Sequence, residues 1–116
     1  MIHSNMKKVG KANSFIWAFA EEMNKKLKNE STDKLFSAII KLETIEDCYN
    51  LFDDLCTVSE IKAMVQRFEV AGMLKEKRSY SEIVEKTGAS TATISRVNRC
   101  LNYGSDGYKK ALEDAE

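Results

Sequence analysis

Residues 80–101, YSEIVEKTGASTATISRVNRCL, decide the fold of this chain. They have the pattern of a short helix, a Gly-Ala-Ser turn and a second helix rich in small hydroxyl residues. Gly88 suits the turn because glycine adopts a positive φ without steric cost. The two helices can bury one face against each other through four apolar residues, Ile83, Val84, Ile94 and Val97. The stretch therefore predicts a helix-turn-helix, in which the position of Val84 is usually alanine.

The second helix of this motif carries the residues that a DNA-binding role would use. A helix-turn-helix holds the start of that helix against base edges in the major groove. Short outward side chains permit close approach, hydrogen bonds made directly or through water, and contact between apolar carbons and thymine methyls. Neighbouring Arg and Lys side chains are placed for phosphates, whose contacts depend on salt. The predicted DNA-binding residues are Lys77, Lys86, Ser90, Thr91, Ala92, Thr93, Ser95, Arg96 and Arg99.

These assignments have structural alternatives. The whole motif could be a helical hairpin that never touches DNA. Thr91 could be a residue chosen to cap the second helix, and Arg99 could be a partner in a surface salt bridge. None of the short side chains gives the bidentate pairing that would name a base.

The composition of the 116 residues indicates one compact, all-helical domain. It is 43% hydrophobic and 31% charged, with no proline and five glycines, whereas strands and long loops would need more turn residues. The net charge is zero, so no global positive field favours nucleic acid. The charge is uneven, since residues 33–60 hold seven acids against two lysines and residues 75–110 hold eight bases against four acids. The basic excess therefore surrounds the motif.

The three cysteines, Cys48, Cys56 and Cys100, are odd in number and have no CxxC spacing. We expect reduced, mostly buried thiols of a cytosolic protein, and neither a disulfide framework nor a zinc site. No apolar stretch approaches the ~18–20 residues that cross a membrane, and no signal peptide is visible. The sequence thus predicts a cytoplasmic protein that is associated with the nucleoid when bound to DNA.

Catalytic chemistry has little support in the sequence. The single histidine, His3, falls in a tail that we expect to be disordered. No nucleophile–base pair and no glycine-rich phosphate loop is present. The carboxylates follow the periodicity of solvated helix surfaces. We therefore expect no enzymatic activity, no metal and no cofactor, while a small-molecule effector stays open.

Four helical stretches precede the motif and one follows it. They run from about 12 to 29, from Ser31 or Thr32 as N-cap to about Glu43, from Thr44 to Leu55, from Thr57 to about Glu76, and from about Asp106 to Ala115. Thr44-x-x-Asp47 and Thr57-x-x-Glu60 have the pattern of capping boxes, in which two side chains satisfy the first free N–H groups of a helix.

The first three helices carry wide apolar faces for their length. Apolar helix faces must pack against other apolar surfaces, and a chain of this size offers few such surfaces of its own. We therefore expect a homodimer, in which paired second helices of the motif meet half-sites about one DNA turn apart; the alternative is a monomeric bundle. The predicted regions are a disordered tail at 1–10, an N-terminal helical dimerisation region at 11–56 and a helix-turn-helix region at 57–116, which together form one domain.

The C-terminal half of the chain resembles the tryptophan-repressor superfamily, most closely its TrpR-like branch of the YerC/YecD type. The strongest match is GASTATISR, residues 88–96, in which the family shares the Gly-Ala start and the Ala-Thr-Ile-(Ser/Thr)-Arg run. The Thr57-x-x-Glu60 box followed by Arg67 is similar to the start of the family's long central helix. RCLNYGSDGY, residues 99–108, resembles the TrpR-like branch in particular. Residues 33–56 match by pattern only.

The resemblance implies an intertwined, all-helical homodimer that represses transcription by reading the major groove. In the tryptophan-responsive repressor, two arginines flank the bound amino acid and a glycine leaves room for the indole. Arg96 and Arg67 match the arginines, but Val97 stands at the glycine position and Cys100 at that of a serine. Val97 should crowd an indole, and a thiol is the weaker hydrogen-bonding group. We therefore expect no tryptophan binding, and either another effector or none, at the pocket that these four residues would form.

Two functions stay open at this point. The first is a dimeric, sequence-specific transcriptional regulator that binds double-stranded DNA, and the motif with its basic surroundings favours it. The second is a helical protein-interaction module that keeps the fold without binding DNA. The zero net charge and the acidic segment 33–60 favour this second function.

Overall fold

The computed structural model describes residues 25–113, where all regular structure is helical. Residues 25–27 are helical, and six further helices follow in this range: α1 (Glu30–Ile40), α2 (Ile45–Leu55), α3 (Val58–Lys75), α4 (Tyr80–Thr87), α5 (Thr91–Tyr103) and α6 (Gly107–Ala111). The expected all-α fold and helix-turn-helix are confirmed. The tail expected at 1–10 and most of the helix expected at 12–29 lie outside the described residues. None of the described helices is long and apolar enough to span a membrane.

Capping side chains determine where several helices begin. Thr44 precedes α2 and Thr57 precedes α3, each as the first residue of a complete capping box. In the second box the Thr57 N–H donates to Glu60 Oε1 at 2.8 Å. Both boxes predicted from the sequence are therefore confirmed. A third box, formed by Ser79 and Glu82, starts α4.

The first described helix, α1, begins earlier than the sequence pattern predicted. Its N-cap is Asn29, whose Oδ1 accepts from the Thr32 N–H at 2.8 Å and from the Thr32 hydroxyl at 3.1 Å. The N-cap expected at Ser31 or Thr32 is wrong, because asparagine is among the strongest N-cap residues and stands three positions before an N–H that needs a partner. At the other end the Lys41 and Leu42 N–H groups donate to carbonyls only three residues back. The helix tightens there and stops before Glu43.

The hydrophobic core lies between α3, α4 and α5. The α3 helix contacts both helices of the motif, and these also contact each other. The turn between α4 and α5 contributes one buried methyl group. The buried residues are Val70, Ala71 and Met73 of α3, Ile83 of α4, Ala89 of the turn, and Ile94, Val97 and Leu101 of α5.

Val84 does not belong to this core, contrary to the sequence expectation. Its neighbour Ile83 is completely buried, whereas Val84 is 37% exposed. Successive residues of an α-helix are rotated by about 100° around the axis, as 3.6 residues per turn require. Since Ile83 takes the inward direction, Val84 is turned toward the outer side of α4.

The cysteines are also less buried than expected. Cys48 and Cys100 are exposed, Cys56 is half-buried, and all three are free thiols. The expectation of mostly buried cysteines is therefore wrong. The physical reason for Cys48 is that α2 buries no residue in this chain, and Cys100 lies to one side of the buried α5 face.

Helices α1 and α2 leave most of their large apolar side chains open to solvent, although Ile39, Leu51 and Phe52 are half-buried. Neither helix has a buried residue, and Ile40 and Ile45 are 81% and 77% exposed. Several large apolar side chains of α3 are exposed too. We call these residues the exposed apolar set: Leu35, Phe36, Ile40, Ile45, Tyr49, Leu55, Val58, Met64, Val65 and Phe68. So many exposed large side chains are typical of a surface that meets a partner.

The short helix α6 folds back onto α3. The Lys75 Nζ donates to the Leu112 carbonyl at 2.6 Å, and the ring centroids of Phe68 and Tyr108 are 6.4 Å apart. Tyr108 and Leu112 pack against the core. The helix ends at Ala111, four residues before the predicted Ala115, and residues 114–116 lie outside the described range.

Candidate nucleic-acid interface

The turn of the helix-turn-helix is fixed by hydrogen bonds of its own residues. Gly88 caps α4 in the left-handed conformation, with φ of 73°, and its N–H donates to the Val84 carbonyl at 2.8 Å. The Thr87 hydroxyl donates to the Ile83 carbonyl at 2.7 Å and accepts from the Ala89 N–H at 3.1 Å. The predicted role of Gly88 is confirmed, and Thr87 is a second residue that holds the turn.

A long-range hydrogen bond ties this turn to α3. The Gln66 Nε2 donates to the Thr87 carbonyl at 3.1 Å, across 21 positions of the sequence. The Thr87 carbonyl belongs to the last turn of α4, where carbonyls lack helical partners. Sequence reasoning did not single out Gln66, since no local pattern marks a contact of this range.

The start of α5 is capped by Ser90 and not by Thr91. The Ser90 Oγ accepts from the Thr93 N–H at 3.1 Å and donates to the Thr93 Oγ1 at 3.0 Å. Thr91 is the first residue of the helix, and it is exposed together with Ala92 and Ser95. The alternative of Thr91 as the cap is therefore wrong. The first turn of α5 presents exposed short side chains on a rigidly capped helix end.

Four cations of the predicted site carry no ion pair within residues 25–113. Lys77, Lys86, Arg96 and Arg99 are all exposed, and no salt bridge in the described part of the chain includes them. The alternative of Arg99 as a salt-bridge partner is therefore not realised there. These four charges stand at both ends of α4 and along α5.

Arg78 differs from these four because it is paired. Its guanidinium lies 3.5 Å from Glu76 and 3.0 Å from Glu82. Glu82 also accepts from the Ser79 N–H in the capping box. The backbone hydrogen bond from Ser79 foremost, followed by the Arg78 hydrogen bond, lowers the pKa of the Glu82 carboxyl below its ordinary 4.5.

Lys77 adopts a left-handed conformation that normally favours glycine. Its φ is 66°, and it closes α3 in a Schellman arrangement. The Lys77 N–H donates to the Leu74 carbonyl and the Arg78 N–H to the Met73 carbonyl. For a residue with a Cβ this conformation costs about 1–2 kcal/mol. A strained lysine thus stands directly before the motif.

The residues of the predicted effector pocket have unequal environments. Val97 is 1% exposed and belongs to the core. Arg67 on α3 is half-buried, while Arg96 and Cys100 on α5 are exposed. At the position for which the resemblance implies a glycine, this chain therefore has a core side chain that packs α5 against its neighbours. No group of three or more potential metal ligands occurs within residues 25–113.

A shallow depression lies between the outer side of α4 and the start of α5. We call it the α4–α5 depression; its volume is about 390 Å³, and it is lined by Tyr80, Ser81, Val84, Glu85 and Thr91. Sequence reasoning included Thr91 in the candidate site but missed the other four. The unusual valine at position 84 was the one available signal.

The three-helix core, the capped turn and the free cations define an all-α helix-turn-helix protein. Residues 30–116 match the sequence model of a family described as Trp repressor protein. The chain belongs to the Trp repressor family. The resemblance inferred from residues 57–108 is therefore confirmed, and the match extends through α1 and α2.

Relatives of known sequence and structure agree with this assignment. The Bacillus subtilis protein YerC, whose function is uncharacterised, is 56% identical over 88 residues, which cover 76% of this chain and 85% of YerC. A TrpR-like protein from Eubacterium eligens is 56% identical, with a TM-score of 0.74, over 76% of this chain and 91% of its own. A candidate Trp repressor from Staphylococcus aureus is 51% identical, with a TM-score of 0.73, over 76% of this chain and 88% of its own.

Proposed function

We propose that this protein is a transcriptional repressor that binds specific double-stranded DNA sites as a homodimer and does not use tryptophan as corepressor. The surface of the motif is the main support for this proposal. The first turn of α5 has exposed short side chains on a capped end, and the four exposed cations Lys77, Lys86, Arg96 and Arg99 surround it without ion pairs in the described part of the chain.

The residues divide into two kinds of contact. Thr91, Ala92 and Ser95, with Ser90 and Thr93 beside them, are short enough to let the helix approach base edges. The four cations serve as phosphate contacts, which position the helix but carry no sequence information. Family membership supports the repressor role, because the matched sequence model is that of a repressor family.

The exposed apolar set supports the homodimer. Helices α1 and α2 have no fully buried residue within one chain, so their apolar side chains gain most by packing against the same helices of a second copy. We assign residues 11–56 to this dimerisation region and residues 57–116 to the DNA-binding region. A two-fold symmetric pair would present its two α5 helices to successive half-sites.

The exclusion of tryptophan rests on Val97. A buried valine fills the place where the tryptophan-responsive repressor leaves room for an indole. Calorimetric titration of the protein with tryptophan should give no saturable heat. Val97→Gly is the direct test of the steric argument, and its thermal unfolding must be followed in parallel because the change also removes core packing. Saturable micromolar binding to the unchanged protein would contradict the exclusion.

Selection of bound duplexes from a random pool tests the DNA-binding proposal. The enriched site is then titrated at two salt concentrations with the unchanged protein, Thr91→Ala, Arg96→Ala and the control Lys110→Ala, which removes an exposed charge beyond the far end of α5. We expect Arg96→Ala to reduce the salt slope by about two, because a dimer loses two phosphate contacts. Thr91→Ala should lower the preference for the selected site, and Lys110→Ala should change neither.

The opposite results favour the second candidate function. If the unchanged protein enriches no sequence, or if Thr91→Ala and Arg96→Ala leave binding unaltered, the proposal fails. The acidic segment 33–60 and the exposed apolar set would then point to a protein-interaction module. A stable protein partner that masks residues 90–99 would identify it.

A further inference from the structure

The α4–α5 depression lies on the face of the motif that is opposite its core. Four of its lining residues belong to α4, namely Tyr80, Ser81, Val84 and Glu85. They follow the i, i+1, i+4, i+5 spacing of one helix face. Ile83, which points into the core, is not among them. The fifth lining residue, Thr91, is the first residue of α5. The depression therefore opens in the angle where the two helices of the motif meet.

The lining is mainly apolar although it faces solvent. Tyr80 is 38% exposed and Val84 is 37% exposed, and Thr91 adds the methyl group of its side chain. A helix-turn-helix usually has alanine at the position of Val84. Because Val84 is not buried, its two additional carbons contribute little to the core and instead form part of the depression.

The docking geometry of a helix-turn-helix places this angle against DNA. The second helix brings its first residues to the base edges, while the first helix crosses the sugar–phosphate backbone. The Glu85 carboxylate disfavours a phosphate at this point, and the carbon surface of Val84 and Tyr80 favours an apolar group. The apolar group that a base pair presents in the major groove is the 5-methyl group of thymine.

We infer that the α4–α5 depression receives the 5-methyl group of a thymine in each half-site, with Val84 and Thr91 as specificity-determining residues. This inference rests on the proposed DNA-binding function and adds a base preference to it. A volume of about 390 Å³ exceeds that of a methyl group, so the sugar edge of the same nucleotide can lie against the Tyr80 ring.

Replacement of thymine by deoxyuridine tests the inference, because it removes only the 5-methyl group. Each thymine of the selected duplex is replaced in turn, and the affinity of the unchanged protein is measured. We expect one position in each half-site to lose affinity about fourfold, the amount that corresponds to burying one methyl group. The other positions should change by less than about twofold.

Two variants then connect the effect to the depression. Val84→Ala removes two carbons and Thr91→Ser removes one methyl group while keeping the hydroxyl. For each variant we compare the affinity for the thymine duplex with that for the duplex carrying deoxyuridine at the sensitive position. The ratio of these two affinities should fall below about twofold. Lys86→Ala is the matched control on the same helix, and it should weaken binding to both duplexes equally. Because the ratio is measured within one variant, a modest loss of stability cancels.

The possible failures are distinguishable. If the selection enriches no sequence, the proposed function itself fails, before deoxyuridine is introduced, and this inference falls with it. If the protein binds a specific site but no thymine replacement matters, DNA binding stands and the inference is overturned. The inference is also overturned if the ratio of affinities for the thymine and deoxyuridine duplexes is as large in Val84→Ala and Thr91→Ser as in the unchanged protein.

Discussion

The region α3–α6 and the region α1–α2 use their apolar residues in opposite ways. All buried apolar residues of the described chain lie between Val70 and Leu101, in α3, α4, α5 and the turn. Helices α1 and α2 are as regular and as well capped, yet neither has a fully buried residue. The region α3–α6 therefore has a buried core of its own. The region α1–α2 has apolar side chains of the kind that form a core, but they do not form one within residues 25–113.

The difference shows that helix formation and helix packing are separate steps in this chain. Thr44 and Asp47 form a complete capping box for α2, so local hydrogen bonds are enough to define the helix ends. Local bonds do not remove apolar surface from water, and at about 25 cal/mol per Å² that surface favours association. We therefore expect substitutions to differ in kind: those at exposed apolar residues of α1 and α2 change assembly, and those at the buried residues of α3, α4 and α5 change folding of the chain itself.

Phe36→Ser should have the largest effect, and it acts on assembly. The side chain is 53% exposed on α1, and each dimer would lose two such side chains. Burying the exposed half of the ring contributes about 0.8–1.5 kcal/mol. A serine hydroxyl buried there without a partner costs about 1–3 kcal/mol more, so the loss is about 4–9 kcal/mol per dimer. Sedimentation over a range of protein concentrations measures the dissociation constant. Lys34→Ser, on the same helix, is the control, and an unchanged constant in Phe36→Ser would remove α1 from the interface.

Ile94→Ala should have the next largest effect, and it acts on the core. Ile94 is completely buried between α5 and its neighbours. Removing its outer carbons leaves a cavity, which costs about 2–5 kcal/mol of unfolding free energy. Chemical denaturation at one fixed protein concentration measures this loss. The adjacent exposed residue gives the control Ser95→Ala, and equal stabilities of the two variants would contradict the described core.

Gly88→Ala should be intermediate because it strains the turn without creating a clash. A Cβ added at Gly88 would meet no atom within 4 Å, but its φ of 73° disfavours any residue with a side chain. We expect a loss of about 1–2 kcal/mol in the same denaturation experiment. A Cβ at Gly107 also meets no atom, and that glycine has no positive φ. Gly107→Ala should therefore cost much less, and a similar cost at both positions would mean that backbone strain is not the cause.

Lys77→Gly is the opposite kind of change, because it places a glycine at another left-handed position, before the start of α4. Glycine relieves the left-handed strain at φ of 66°, so the unfolding free energy should stay constant or rise by up to about 1 kcal/mol. The same change removes a proposed phosphate contact from each protomer and should reduce the salt slope of DNA binding by about two. Stability and DNA affinity would then move in opposite directions. A variant that is more stable and binds DNA with an unchanged salt slope would show that Lys77 makes no phosphate contact.

Local patterns in the sequence were sufficient to predict the helices and the turn. They were insufficient to predict which side chains are buried. Gly88 and the boxes at Thr44 and Thr57 involve residues within four positions of each other, so the sequence contains the whole interaction. The outward direction of Val84 depends on how α4 is rotated against α3 and α5. The bond from Gln66 to Thr87 joins residues 21 positions apart. Both depend on tertiary packing, which a single sequence pattern does not specify.

The capping boxes predict the smallest effect, a dependence of stability on pH. Backbone and side-chain hydrogen bonds from Thr57 lower the pKa of Glu60 from 4.5, as those from Ser79 and Arg78 lower that of Glu82. A carboxyl whose pKa is lower in the folded state adds stability above its unfolded pKa, and this contribution is lost as the pH falls through the folded value. The thermal unfolding midpoint should therefore decrease below about pH 4.5.

The double variant Glu60→Gln, Glu82→Gln isolates this contribution. Glutamine can occupy the same position in a capping box but does not titrate. The decrease in the midpoint between about pH 5 and about pH 3 should therefore be smaller in the variant than in the unchanged protein. Both boxes lie in the region α3–α6, at the starts of α3 and α4, so the difference should persist in Phe36→Ser, where assembly is weakened. If this difference in pH dependence vanished in the Phe36→Ser background, the boxes would stabilise the protein only through the dimer. The two regions would then be coupled.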